Sequence, residues 1–310
     1  MADPGTALAG RDFTSIRTWS RADLERVLDL ADELKATRAA RGQTGLLPGR
    51  SVGLIFQKPS TRTRVSFEVG VAELGGTALH LSTDDLQLGR GESIRDTGYV
   101  LSRYLDAIMI RTFAHAEVEE LAEHASIPVI NGLTDEEHPC QALADLMTIR
   151  ERLGRLDGIR VAYVGDGNNV CVSLMQACAV VGAEFVAATP GDYQPREAAV
   201  HAARQAGGSV EVVPDAAEAA TGAHILYTDV WTSMGQEAER AARTHAFRGY
   251  AITERLVELA APDAIVMHCL PAHPGEEIDE SVLYGPRSAV WDQAENRLHA
   301  QKALMALIVS

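Results

Sequence analysis

Short apolar runs of strand length alternate with segments of helical period from one end of this chain to the other, and few folds accommodate that pattern. SVGLIF at 51–56, DAIMIR at 106–111 and IPVING at 127–132 read as buried strands, each followed after a polar loop by a helical pattern. A second series repeats the arrangement: IRVAYVGD at 159–166, AEFVAATP at 183–190, AHILYTD at 223–229 and AIVMHCLP at 264–271. Successive strand, helix, strand units fold as parallel sheets covered by helices on both faces. Near 150–156, within TIRERLGRLDG, a long helix runs out just before a fresh strand, so the chain reads as two α/β domains, 1–150 and 151–310. The last segment, DQAENRLHAQKALMALIVS, has helical spacing.

Charge narrows the partners. With 28 Lys+Arg against 43 Asp+Glu the formal charge is −15, which argues against a nucleic-acid or anionic-membrane surface, since either needs a broad basic field. The first residues, MADPGTALAGRDFTS, show neither a secretory nor a transit pattern, and no apolar run approaches the roughly 18 residues of a membrane span. A cytoplasmic protein is expected. Cys140, Cys171, Cys178 and Cys269 form neither a CxxC pair nor a zinc framework, so disulfides and structural metal are not expected.

Ligands of parallel sheets gather beyond the carboxyl ends of the strands, so the residues there are the candidates. FQKPSTRTRVSFE at 56–68 follows the first strong strand, with Ser60 suited to an N-cap and a helical run ending at Gly75 and Gly76. A helix N-terminus offers free backbone N–H groups, Ser60, Thr61 and Thr63 add hydroxyls, and an arginine fork matches phosphate oxygens. A phosphate or similar oxyanion is the expected guest. A solvated helix start with salt bridges is the bland alternative, and two arginines with three hydroxyls exceed what it requires.

Neither a Walker A loop nor a complete dinucleotide fingerprint is present: VGDGNNV at 164–170 has Val170 in the third glycine position, and the next strand ends without a ribose-binding acid. Asn168 and Asn169 suit either a helix cap or a small polar ligand. Arg111 closes a buried strand, where it serves either a structural ion pair or a ligand. His138 precedes Pro139 at a helix start with Gln141 close behind, a pairing able to polarise a carbonyl. Asp229, in YTDVWTSMG, suits an ammonium group, with Ser233 and Gly235 in the loop after it. Cys269 lies beside His268 and a sharp Leu-Pro break; it is either an inert thiol or a functional one.

Taken together, STRTR at 60–64, HPCQ at 138–141, DVWTSMG at 229–235 and HCLP at 268–271 resemble the motifs of the aspartate/ornithine carbamoyltransferase family, in its order and over nearly the whole chain. The last two resemble its ornithine branch. The resemblance implies two doubly wound, Rossmann-like parallel-sheet domains: 1–150 binding carbamoyl phosphate, 151–310 binding ornithine, and a last helix, about 293–308, packing back on the first. It implies transfer of a carbamoyl group from carbamoyl phosphate to the δ-amine of L-ornithine, giving citrulline and phosphate in arginine metabolism, without cofactor or metal.

Residue by residue, the resemblance assigns the phosphate to Ser60, Thr61, Arg62 and Thr63, and the carbamoyl carbonyl and amide to Arg111, His138 and Gln141. Gln87, in DDLQLGRGES, would reach a neighbouring subunit's site, and Arg297 would close on carbamoyl phosphate. Cys269 and Leu270 would lie where amine meets carbamoyl carbon, and Asn169, Asp229, Ser233 and Met234 would hold the α-amino and carboxylate ends of ornithine. A homotrimer with shared active sites is implied. An aspartate enzyme should carry an arginine soon after the Leu-Pro, whereas this chain reads HCLPAHPG. A non-catalytic binder would have lost one of the arginines or His138, and a nicotinamide oxidoreductase fails on the incomplete fingerprint.

Overall fold

The structure is a computed structural model that describes residues 8–42, 44–82, 91–233 and 235–309. The chain divides into two compact units, Met1–Met147 with Asn296–Ser310, and Thr148–Glu295. In chain order the first series of elements is α1 (Arg21–Ala39), β1 (Ser51–Phe56), α2 (Thr61–Glu73), β2 (Thr77–Ser82), α3 (Ile94–Leu101), β3 (Ala107–Arg111), α4 (His115–His124), β4 (Val129–Leu133) and α5 (Pro139–Leu153). There follow β5 (Arg160–Val164), α6 (Asn169–Val181), β6 (Glu184–Ala188), α7 (Glu197–Gln205), β7 (Ser209–Val213), α8 (Ala216–Ala220), β8 (Ile225–Thr228), α9 (Arg240–Ala246), α10 (Glu254–Leu259), β9 (Ile265–His268), α11 (Glu280–Leu283) and α12 (Val290–Ile308).

Among the described residues every strand pair is parallel. The first sheet runs β2-β1-β3-β4 and the second β7-β6-β5-β8-β9. Each order reverses once, at β1/β3 and at β5/β8. Because strand-helix-strand crossovers are right-handed, reversal sends the helices before and after it to opposite faces, which makes both units doubly wound. In the first unit Val118 and Leu121 of α4 pack on Ile55, Ile108, Ile110 and Val129. On α2, a Cβ added at Gly70 would meet Lys302 and Met305 of α12 at 3.0 and 3.4 Å, so this glycine lets the two helices approach closely. In the second unit Ala216, Ala219 and Ala220 of α8 share a core with Ala162, Val164, Leu226 and Val266.

Reading apolar runs finds β1, β3, β4, β5, β6, β8 and β9 and passes over β2 and β7. Both lie at sheet edges, with burial alternating along much of their length, so neither presents a continuous apolar run. Among the described residues no helix is long and apolar enough to cross a membrane.

Candidate functional site

Each unit places its candidate residues at its own topological switch point. In the first, β1 leads into Ser60, which caps α2 by accepting a hydrogen bond from the Thr63 N–H at 3.3 Å, and β3 ends on Arg111 beside it. No acidic residue occupies the first turn of α2, so its N-terminal dipole is uncompensated by the helix itself. Thr61 is exposed, Ser60 and Arg62 are half-buried, and Thr63 is buried.

Arg297, buried on α12, ties this half-site together. Its Nη1 donates to Gln141 Oε1 at 2.7 Å, its Nη2 to Thr63 Oγ1 at 3.1 Å and its Nε to Gln301 Oε1 at 2.9 Å. Gln141 in turn donates through Nε2 to Asp145 Oδ1 at 2.9 Å, which fixes its amide orientation. Lys58 pairs with Asp135 and lies 4.2 Å from the Phe113 ring centroid, linking the loop after β1 to that after β4. His138 is 5% exposed, and Pro139 begins α5 immediately after it. Burial first, then the charges of Arg297, Arg111 and Arg62, hold its imidazole well below its usual pKa, so it stands neutral at pH 7. The thiol of Cys140, in the same motif, donates to the Asn131 carbonyl at 3.3 Å, and burial pushes it up to about 12, which makes it inert.

In the second unit, β5 leads through Gly165, Asp166 and Gly167 to Asn168, the N-cap of α6. Asn168 Oδ1 accepts from the Val170 and Cys171 N–H groups at 3.0 and 3.1 Å, while its Nδ2 donates to Asp229 Oδ2 at 2.8 Å. Gly167 is required here, since an added Cβ would overlap the backbone of Gln194 and Pro195. Asp229, 5% exposed just beyond β8, receives on its other oxygen the Cys269 thiol at 2.9 Å. One carboxylate therefore joins the ends of β5, β8 and β9.

Cys269 is held by its neighbours. His268 Nδ1 accepts the Leu270 N–H at 2.9 Å, which fixes the tautomer and directs Nε2–H to Glu277 Oε1 at 3.1 Å, while Gln293 Oε1 accepts the His268 N–H at 2.8 Å. Leu270 takes a φ of +61° ahead of a cis bond to Pro271, a backbone region seldom used by a branched side chain. Asp166, buried, is pushed up to about 6 by burial, against which the adjacent Arg243 guanidinium pulls it down.

Among the described residues, two groups of potential metal-ligating side chains have donor atoms within 4.8 Å of one another, Asp229 with His268 and Cys269, and His273 with Glu276 and Glu277. In the first, both ring nitrogens of His268 already serve Leu270 and Glu277. In the second, Glu277 Oε1 serves His268 and the His273 N–H, and Glu276 pairs with Arg240. A metal at the first group would have to displace these bonds, so that group does not suit a resident ion.

The structure thus brings Thr63, Gln141 and Arg297 into hydrogen-bonded contact, sets His138 within the field of Arg62, Arg111 and Arg297, and joins Asp229 to Cys269. Asn169 is the first residue of α6, but the amide on Asp229 belongs to Asn168. Ser233 is half-buried, its backbone N–H donating to Gln236 Oε1 at 3.1 Å. Gln87 and Met234 lie outside the described residues. Asp145 and Arg243 are buried participants that sequence reading missed. Each is a charged residue within a helical segment, and the sequence says nothing of which loop it faces.

Comparison with known proteins matches residues 11–151 to the aspartate/ornithine carbamoyltransferase carbamoyl-P binding domain and 157–308 to the Asp/Orn binding domain of the same family. An ornithine carbamoyltransferase of Symbiobacterium thermophilum is 60% identical over 309 residues, covering 98% of this chain and 100% of that protein. One of Pyrococcus furiosus, described as anabolic, is 52% identical, covering 98% of each. A solved structure of ornithine carbamoyltransferase from Pyrococcus furiosus superposes with a TM-score of 0.93 at 52% identity, covering 97% of this chain and 98% of that one. With both domain models matched across nearly its whole length, the chain belongs to the aspartate/ornithine carbamoyltransferase family.

Proposed function

We propose that this chain transfers the carbamoyl group of carbamoyl phosphate to the δ-amine of L-ornithine, giving L-citrulline and phosphate. The observation that carries the reading is the contrast between the switch points. The unit matched to the carbamoyl-P domain gathers arginines at an uncompensated helix N-terminus, and the unit matched to the Asp/Orn domain gathers a carboxylate, an amide and a thiol.

On this reading Ser60, Thr61, Arg62 and Thr63 take the phosphate, with the α2 N–H groups. Arg111, His138 and Gln141 take the carbonyl oxygen and amide, and Arg297 reinforces both groups through Thr63 and Gln141. Gln87 completes the phosphate side from a neighbouring subunit of a homotrimer. Asp229 takes the α-ammonium of ornithine, with Asn169, Ser233 and Met234 around its amino and carboxylate ends.

The lone pair of the δ-amine attacks the carbamoyl carbon, and the carbonyl oxygen gains negative charge. Arg111 stabilises that oxyanion, and neutral His138 serves without adding another buried charge. The carbon–oxygen bond to phosphate then breaks, phosphate departs with the electron pair against Arg62 and the helix dipole, and the proton lost by the amine nitrogen is balanced by that phosphate, which is released as hydrogen phosphate. An alkyl amine has a pKa of about 10.4 in water, so the site must favour the neutral amine. Cys269 orients Asp229 and the amine, and the attacking nucleophile is the substrate's own nitrogen. These steps consume no metal or nucleotide. A cytoplasmic enzyme of arginine metabolism accords with the reading.

Citrulline formation from carbamoyl phosphate and ornithine, with aspartate, putrescine and N-acetylornithine assayed in parallel, tests the proposal. Citrulline as the sole product supports both half-sites. Product from another amine would retain the phosphate side and overturn the acceptor assignment.

A further inference from the structure

Arg243 takes no part in the scheme above, yet its side chain is only 8% exposed and two of its hydrogen bonds are directed at the acceptor half-site. Its Nη1 donates to Asp166 Oδ2 at 2.8 Å and to the Trp231 carbonyl at 3.0 Å, and its Nε donates to Glu239 Oε2 at 3.0 Å. The guanidinium carbon lies 4.8 Å from the Tyr193 ring centroid. Tyr193 packs against Phe247 with centroids 4.8 Å apart, and Phe247 stacks on Trp231 at 5.7 Å. The Tyr193 carbonyl accepts the Gly167 N–H at 2.8 Å.

One side chain therefore fastens the loop after β5, the loop after β6 and the loop after β8 to α9. The fastening is placed for effect. Trp231 stands midway between Asp229 and Ser233, and Asp166 stands two residues before Asn168, whose amide grips Asp229. Neutralising Asp166 alone would require only a cation; holding a carbonyl and two carboxylates at fixed angles requires the planar fork.

We propose that Arg243 is a positioning residue that sets the geometry of the acceptor loop and thereby the affinity for the amino acid substrate. The inference rests on the reading of Asp229 and its loop as the ornithine half-site.

The test uses the full-length protein, with Arg243→Lys and Asp166→Asn compared against wild type for both Michaelis constants, kcat and thermal midpoint. Lysine keeps the charge but cannot reach the three acceptors together. Asparagine keeps the volume but weakens the anchor of the fork. The expected result is a rise of about 10-fold or more in KM for ornithine in each variant, with KM for carbamoyl phosphate within about twofold of wild type. A merely structural arginine would instead lower the thermal midpoint and the active fraction, leaving both KM values unchanged, and that pattern would overturn the proposal. An ornithine KM like that of wild type in Arg243→Lys would do the same. Should Arg243→Lys fail to fold, Asp166→Asn decides by the same criterion. Wild-type protein that makes no citrulline would remove the ornithine reading itself, and this proposal with it.

Discussion

At the first unit's switch point three arginines surround a histidine kept neutral, and at the second's a carboxylate is gripped by an amide and a thiol, with a second carboxylate paired to a buried arginine behind it. The backbone plan of the two places is the same, since in each a strand order reverses and the loops beyond two parallel neighbours converge. Topology thus decides where a ligand can sit, and the side chains decide its charge. The ties differ as well. The first half-site is fastened by Arg297 from the C-terminal helix, so residues far apart in sequence must fold together before it exists. The second is fastened by Arg243, from a helix immediately after the loop it holds.

Removing one charge from each half should damage opposite substrates. Arg62→Ala should have the largest effect, lowering kcat/KM for carbamoyl phosphate about 10³-fold while KM for ornithine changes little, because the lost fork meets charge that grows on the leaving phosphate. Near-normal kinetics would remove Arg62 from the phosphate side. Asp229→Asn should follow, with kcat/KM for ornithine down about 10²-fold and carbamoyl phosphate affinity unchanged, since a neutral amide replaces the anion that faces the ammonium. An effect confined to carbamoyl phosphate would mean that the two halves are exchanged.

A smaller loss, about 10-fold, is expected for Cys269→Ser, because a hydroxyl can still donate to Asp229 Oδ1. The variant discriminates sharply between roles. A cysteine that formed an acyl-enzyme would lose nearly all activity on this change, and mass spectrometry of enzyme quenched with carbamoyl phosphate would show a carbamoyl adduct in the wild type.

The fully or largely buried strands and the helix starts at Ser60, Pro139 and Asn168 were legible because each rests on local chemistry, an apolar run followed by a cap or a proline. The edge strands β2 and β7 were not, since the alternation that half exposes them mimics a loop. The motif residues could be named at their strand ends, yet what holds them could not. Arg297 reaches Gln141 across 156 positions and Thr63 across 234, and no periodicity reports such a bond. Asn168 shows the same limit at short range: adjacent asparagines are indistinguishable in sequence, and only backbone direction at the cap turns the first toward Asp229.

The smallest effect concerns His138, and it separates the two causes of its neutrality. Its pKa is depressed in the folded protein, so the unfolded chain takes up a proton near pH 6.5 that the folded chain refuses. Stability contributed at this position is therefore present above that pH and declines as the pH falls below it. In a histidine-labelled sample the His138 resonance, assigned by its loss in His138→Gln, should show no titration near pH 6.5. Adding inorganic phosphate should then offset part of the field of Arg297, Arg111 and Arg62, but burial is the larger cause and persists with the ligand bound. The midpoint should rise on binding while the ring stays neutral at pH 7. A resonance that titrates at 6.5 without ligand would give the first half-site a fourth cation below that pH and overturn the burial argument. A midpoint that ignores phosphate would detach the anion from these arginines and leave the first switch point without the charge that distinguishes it from the second.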